Sequence, residues 1–340
     1  MNRHDFWIEV FAVQGSVTPY VIRRIAFFGV FATFIWLGST RLAVETGLGV
    51  APYEIVGAVL ALLLVHRTNA GYDRWYEARK LWGGIVNQSR NLATIGMAYG
   101  PVDPRWRNDF IRWTAAYSHV CRHSLRGERK LDDLQKFIGV AELQELAAAR
   151  HMPSYVAARL AQLLREATST GELDRFAFLQ AERERALLID HIGACERIMN
   201  TPLAQVFSIK IRRFLFLYLI ALPIGIVDKS GMLTPFLTMM VAYPLLSLDQ
   251  IGVELQNPFP IERLGSLPLT QICRTIEDNV FAQLEGMPAT DLPRVDVFEM
   301  VAGEQGGSHL ERFNNGSAEK NPDRVAATPQ QKLSTFPAGN

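Results

Sequence analysis

The sequence has 340 residues, of which 49% are hydrophobic, and its 35 lysines and arginines balance 34 aspartates and glutamates. A net charge of +1 argues against a nucleic-acid-binding protein, because such proteins usually carry a basic excess. The three cysteines, Cys121, Cys195 and Cys273, are far apart and form no CxxC pair, which predicts free thiols in a reducing compartment.

Four uncharged apolar segments run through residues 25–38, 55–65, 214–227 and 232–248. Each is shorter than the roughly 20 residues needed to cross a bilayer, so buried core helices of a soluble protein are one interpretation. The membrane is favoured because a core helix in a protein of this size normally keeps a polar stripe, and these segments are uncharged on every face. If flanking polar residues reach the headgroup region, the predicted spans are Val21–Thr40, Val50–Asn69, Ile211–Gly231 and Gly231–Asp249.

The cations beside the predicted spans set the expected orientation, because positively charged loops stay in the cytoplasm. They are Arg23, Arg24, Arg67, Arg74, Arg79, Lys80, Lys210, Arg212 and Arg213, whereas the connections at the other ends carry little charge. We therefore expect a multi-pass protein embedded in the lipid bilayer, with both termini in the cytoplasm.

The polar chain outside the spans is expected to be helical. Asp103 before Pro104 fits a helix start, with an N-cap followed by proline at the first position. Helices are predicted at Tyr72–Met97, from Asp103 to about Leu125, from Pro153, at Asp174–Met199 and at Leu267–Leu284. The predicted organisation is an N-terminal segment (1–20), a first transmembrane hairpin (21–69), a cytoplasmic helical domain (70–210), a second hairpin (211–249), an elbow with a C-terminal helix (250–301) and a disordered tail (302–340).

Two pairs of residues on the predicted helices are candidates for chemistry, and each has a plainer interpretation. His119 and His123 have a metal-ligand spacing, but no HExxH motif or neighbouring carboxylate supports a metal. His191 and Cys195 have the same spacing, which would suit an activated thiolate but suits helix packing better. No phosphate-binding loop, dinucleotide fingerprint or nucleophile elbow is present, so an enzyme is not expected.

The second predicted span carries a stripe that runs from apolar to polar residues. In one continuous helix, Ala58, Leu62 and His66 lie one turn apart, and Asn69 and Asp73 continue the same face. One interpretation makes Ala58 and Leu62 ordinary helix contacts and places His66 at headgroup depth. The other interpretation makes the stripe the wall of a pore that excludes water at its apolar end and is filled with water at its polar end. The spacing of these residues alone favours the first interpretation, in which Ala58 and Leu62 are ordinary helix contacts.

The segment Asn257, Pro258, Phe259 and Pro260 follows the fourth predicted span. Asn257 precedes a proline and therefore leaves the helical region. The segment is either a breaker that ends the span or a rigid structural elbow that redirects the chain along the cytoplasmic domain.

Two longer stretches are distinctive, namely RTNAGYDRWYEARKLWGGIVNQSRNLA at residues 67–93 and LDQIGVELQNPFPIERLGSLPLTQICRTIEDNV at residues 248–280. Together they resemble the bacterial branch of the bestrophins. The similarity covers roughly residues 20–284, with the four predicted spans at consistent spacing. It implies an all-α membrane protein with four transmembrane helices per protomer and a large cytoplasmic helical domain, assembled as a homopentamer around one axial ion pore.

The resemblance also assigns pore positions. Relatives place bulky apolar side chains at a neck on the second membrane helix, and those positions correspond to Ala58, Leu62 and His66. The sequence departs from that pattern at two positions, because Ala58 is small and His66 is polar. Asn69 and Asp73 then become candidates for the vestibule wall. A deeper cytoplasmic aperture is expected near residues 173–178, with Phe176 as the candidate.

Cofactors and partners are also implied by the resemblance. Animal bestrophins bind calcium through an acidic run after the NPF segment, and here that run is PIERLGSLPL, in which Glu262 is the one acidic residue. No calcium clasp, metal site or other cofactor is therefore expected. The expected partners are the lipid bilayer, further copies of the chain in a pentamer, and small permeant ions.

The charge of the permeant ion stays open at this stage. Anions such as chloride are the family default, and a monovalent cation is the alternative. Asp73 would add a ring of carboxylates if it faced the axis, whereas Arg67 or Arg74 would add cations. A ring of protonated His66 side chains would disfavour cations. The alternative function is a non-conducting, membrane-anchored helical scaffold or regulator.

Overall fold

The computed structural model describes residues 15–42, 49–202 and 204–286, together with Val10 and Ala12. Within these residues every regular element is a helix, as the predicted all-α class requires. The α-helices are α1 Thr18–Leu42, α2 Ala51–Tyr99, α3 Pro104–Arg126, α4 Val140–Ala148, α5 Met152–Ser169, α6 Arg175–Asn200, α7 Gln205–Ser230, α8 Thr234–Glu254 and α9 Leu269–Leu284. Short 3₁₀ helices at Asp132–Leu134 and Gly231–Leu233 precede α4 and α8. The predicted tail, 302–340, and most of the predicted N-terminal segment lie outside the described residues.

Local capping explains where two of the helices begin. The Asp103 carboxylate accepts hydrogen bonds from two backbone N–H groups of the first turn of α3, both at 3.3 Å. Pro104 follows at a position where the helix needs no N–H donor. The Asp174 carboxylate caps α6 in the same way, with distances of 3.0 and 3.2 Å. Both starts agree with the predicted ones.

Two hydrophobic cores hold the helices together. The first lies between α1, the N-terminal part of α2, α7 and α8, and includes Val21, Ile25, Phe28, Leu60, Leu64, Ile211, Leu215, Leu219, Ala242, Leu245 and Leu246. The second joins the remainder of α2 to α3, α5, α6 and α9 around the buried side chains of Trp82, Phe110 and Tyr117. Because α2 takes part in both cores, it fixes one relative to the other.

Helix α2 is uninterrupted from Ala51 to Tyr99, which is 49 residues or about 74 Å at 1.5 Å per residue. The predicted second span and the predicted helix that follows it are therefore one element. The apolar part of α2 passes close to α7, since a Cβ atom at Gly57 would lie 2.6 Å from the Tyr218 hydroxyl. Small residues at such contacts are typical of helices that pack within membranes.

Among the described residues, α1 and α2 are the helices long and apolar enough to cross a membrane. Helix α7 has Lys210, Arg212 and Arg213 in its first turns, and its uncharged stretch, residues 214–227, is about 21 Å long against a hydrocarbon core of about 30 Å. The predicted fourth span begins with a 3₁₀ helix, and α8 starts only at Thr234. The four-span count therefore stays a prediction.

Candidate functional site on helix α2

The five residues of the predicted stripe lie on one exposed face of α2. Ala58, Leu62, His66, Asn69 and Asp73 are all exposed, and Leu62 leaves 70% of its surface uncovered. The other side of the helix packs inside the protomer through buried residues that include Leu60, Leu64, Arg67 and Gly71. The uncovered face thus changes along the helix from apolar to polar to acidic.

His66 also has a neighbour inside its own protomer. Its ring lies edge-to-face with the Phe207 ring of α7, with 6.5 Å between the ring centroids. The imidazole is nevertheless exposed. The histidine lies between Leu62 and Asn69, where the uncovered face of α2 changes from apolar to polar.

Arg67, the next residue, points into the protomer. It is 2% exposed, and its guanidinium forms an ion pair with the equally buried Asp249 carboxylate of α8. The second oxygen of that carboxylate accepts a hydrogen bond from Nε of Arg212, on α7, at 3.2 Å. Asp249 therefore joins α2, α7 and α8, and Arg67 adds no charge to the exposed face of α2.

Arg74 is likewise engaged within the protomer. Its guanidinium donates to the backbone carbonyl oxygens of Thr201 at 2.8 Å and Gln256 at 3.2 Å, and also to that of Ile198. These carbonyls lie at or just after the C-terminal ends of α6 and α8, where the helix dipole favours a cation. Of the charged residues considered for a ring on the axis, Asp73 is the one that the structure leaves exposed on this face.

Phe176, the candidate for a second constriction, is 83% exposed in the first turn of α6. Leu179 lies one turn later and is 68% exposed, although sequence reasoning did not single it out. The i, i+3 spacing of two apolar residues was the signal available for it. Leu173 and Phe178, from the same predicted window, belong to or pack against the second core.

The segment Asn257–Pro260 is built around a buried ring. Phe259 is fully buried in the second core, and its backbone N–H donates to the side-chain oxygen of Asn257 at 3.3 Å. The Pro258 carbonyl accepts a hydrogen bond from the Leu267 backbone N–H at 2.7 Å, which closes the loop before α9. These contacts hold the loop between α8 and α9 against the second core.

Glu262 is exposed in the loop between α8 and α9. Over the residues that the structure describes, no group of three or more His, Cys, Asp or Glu side chains is placed to hold a metal ion. The expected lack of a calcium clasp stays a prediction.

The histidine pair on α3 has carboxylate neighbours, so the sequence-based interpretation was wrong on this point. His123 Nε2 lies 2.8 Å from Asp133 Oδ1, and His119 Nε2 lies 3.2 Å from Glu277 Oε2. Both histidines are buried. Burial would raise the pKa of the Asp133 carboxyl, but the two neighbouring histidines and the Arg122 guanidinium outweigh it and hold that pKa well below its usual range. The cluster ties α3 to the loop that follows it and to α9.

The three cysteines are free and buried, in agreement with the predicted free thiols. Burial raises the pKa of the Cys195 thiol to about 12, so the pair with His191 provides no activated thiolate at neutral pH. His191 packs closely against Gly84 of α2. The pair is a helix contact, as its plainer interpretation held.

The described fold is all-α, and two of its helices, α1 and α2, are long and apolar enough to cross a membrane. The sequence pattern of the bacterial and fungal bestrophin proteins matches residues 1–282. A voltage-dependent anion channel-forming protein of Mesorhizobium japonicum is 31% identical over 292 residues, which cover 86% of this chain and 94% of the relative. A protein with the same description from Escherichia coli is 29% identical, with 84% and 95% covered.

Solved structures agree with this relationship at the level of the fold. The crystal structure of a bacterial bestrophin homologue from Klebsiella pneumoniae superposes with a TM-score of 0.72 at 24% identity. The match covers 79% of this chain and 99% of the homologue. The chain belongs to the bacterial and fungal bestrophin family of membrane ion channels.

Removing the charge of Asp249 tests the role of the buried ion pair. In an Asp249→Asn variant Arg67 keeps a buried, unpaired charge, and we expect the free energy of unfolding to fall by about 3–5 kcal/mol. The measurement is the unfolding midpoint of the purified protein in detergent. The control is the double variant Arg67→Met, Asp249→Leu, which removes both charges and should recover most of the loss. An Asp249→Asn variant as stable as the wild type would contradict this role.

Proposed function

We propose that the chain is the protomer of a homopentameric channel that passes small monovalent ions through one axial pore in the bacterial inner membrane. The neck of the pore lies on α2 at Ala58, Leu62 and His66. Asn69 and Asp73 line the vestibule beyond the neck, and Phe176 borders a second aperture further along the ion path.

The uncovered face of α2 carries this proposal. One protomer leaves the apolar side chain of Leu62 and the polar side chains of Asn69 and Asp73 exposed on the same face. Neither lipid nor bulk water suits the whole of that face. Several copies with this face toward a common axis would give the apolar part a narrow neck and the polar part a water-filled continuation.

A ring of protomers is supported by symmetry and by the family. Identical copies that contact one another head to tail form a closed ring when their rotation closes. The resemblance to bestrophins supplies the number five. The inward orientation of Arg67 and Arg74 supports the same arrangement, because it leaves the Leu62 face of α2 free to line the ring.

Two observations bear on the charge of the permeant ion. The relatives are described as anion channel-forming proteins, which makes anions the first candidate. Monovalent cations are the second candidate, because Asp73 is exposed on the proposed pore face while Arg67 and Arg74 bind within the protomer. An apolar neck has no charge preference of its own, so nearby rings of charge decide between these ions.

Reconstitution of the full-length protein in liposomes tests conduction. We expect ion flux above that of empty liposomes, because the axial pore connects the two sides. Recordings in asymmetric NaCl then give the charge preference from the sign of the reversal potential. If a stable oligomer gives no flux above empty liposomes, the channel proposal fails and the non-conducting scaffold or regulator takes its place.

An Asp73→Asn variant tests whether this carboxylate lines the ion path. We expect the reversal potential in asymmetric NaCl to move toward the chloride equilibrium potential, because a ring of carboxylates attracts cations and repels anions. Asp109→Asn is the matched control, since Asp109 is exposed on α3 and lies off the proposed pore face. Identical reversal potentials for Asp73→Asn and the wild type would show that Asp73 does not line the ion path.

A His66→Phe variant tests the proposed position of the imidazole in the neck. Histidine side chains ordinarily change charge between about pH 5 and 8, so acidification of the wild type should reduce cation passage relative to anion passage. The variant should lose this dependence. The measurement is conductance and reversal potential over that pH range. Matching pH profiles for the wild type and the variant would show that His66 does not line the neck.

A further inference from the structure

Arginines near the starts of α1 and α7 border a pocket. Arg23 and Arg24 lie near the start of α1, Arg212 lies near the start of α7, and Asp249 lies near the end of α8. A cavity of about 440 Å³ opens between these helix ends. The rest of its lining is apolar and consists of Phe27, Phe28, Leu215, Phe216 and Leu246.

The pocket carries a net positive charge. Asp249 is the carboxylate that lines it, and Arg67 and Arg212 already bind that carboxylate. Arg23 and Arg24 are exposed and add two further guanidinium groups. The side chain of Arg212 is half exposed, so it keeps donors for a second acceptor. Forked guanidinium donors match the geometry of a phosphate group.

The apolar lining continues out of the pocket along α1. Phe27 is 54% exposed, and Val30 and Phe34 follow on the same side of the helix with 57% and 68% exposed. Across the pocket, Phe216 of α7 is 50% exposed. A soluble phosphate compound gains little from such a surface, whereas an acyl chain would cover it. Basic pockets between transmembrane helices that continue into apolar surface are typical of anionic lipid sites.

We propose that this pocket binds the phosphate of an anionic glycerophospholipid such as phosphatidylglycerol. Arg23 and Arg24 bind the phosphate, and Arg212 divides its donors between the phosphate and Asp249. One acyl chain lies along Phe27, Val30 and Phe34. Because Asp249 also binds Arg67, the lipid phosphate connects to α2 through three successive ion pairs, with Arg212 and Asp249 between the phosphate and Arg67.

Lipid titration of the delipidated full-length protein in detergent tests the site. We expect phosphatidylglycerol to raise the unfolding midpoint and to stay bound in native mass spectra, and phosphatidylcholine to bind much more weakly. The double variant Arg23→Gln, Arg24→Gln should bind phosphatidylglycerol about 30-fold more weakly, given the usual contribution of each arginine near anionic lipid. A second double variant, Arg23→Lys, Arg24→Lys, keeps both charges and should retain most of the affinity.

Arg41→Gln is the matched control, because it removes an exposed arginine from the opposite end of α1. It should bind phosphatidylglycerol as the wild type does. Equal binding by the wild type and by the Arg23→Gln, Arg24→Gln variant would overturn the proposal. So would equal binding of phosphatidylcholine, or a wild type that binds no lipid because another copy or another part of the chain fills the pocket.

Inorganic phosphate separates a lipid site from a site for a soluble anion. We expect it neither to displace phosphatidylglycerol nor to raise the unfolding midpoint at millimolar concentration. The same stabilisation by inorganic phosphate as by lipid would overturn the lipid assignment. These readouts use no ion flux, so failure of the lipid site and failure of the proposed channel are distinguishable.

Discussion

Asp249 is the buried charge on which the packing of α2, α7 and α8 depends. A carboxylate that is 2% exposed is tolerated only when its charge is paired, and Arg67 and Arg212 supply that pairing from two other helices. Successive residues of an α-helix point about 100° apart, so turning Arg67 toward Asp249 leaves His66 on the outside of the protomer. The pairing of the Asp249 carboxylate with Arg67 therefore decides which side of α2 remains exposed.

The features that depend on a short stretch of chain were predictable from the sequence. Asp103 and Asp174 begin helices because their carboxylates satisfy N–H groups within three residues. The exposed stripe from Ala58 to Asp73 was predictable as well, since helical spacing decides which residues share a face. Helix α4 was missed because nine residues contain too few turns to give a periodic pattern.

Contacts between distant segments were not predictable in this way. Arg67 was a possible pore cation until the structure placed it on Asp249, 182 residues later. The carboxylates beside His119 and His123 come from the following loop and from α9. The spacing of residues along α3 does not indicate them. The same holds for the pocket at Arg23 and Arg24, which needs α7 and α8 to complete its lining. Helical periodicity identifies a face but not the segment that covers it.

The separation of Arg67 and Asp249 along the chain also matters while the protein is being synthesised. Chains grow at about 5–20 residues per second, so the 182 residues that follow Arg67 up to and including Asp249 take roughly 9–36 seconds to make. During that interval α2 contains an arginine whose native carboxylate does not yet exist. The ion pair that joins α2 to α8 therefore forms only after Asp249 has left the ribosome.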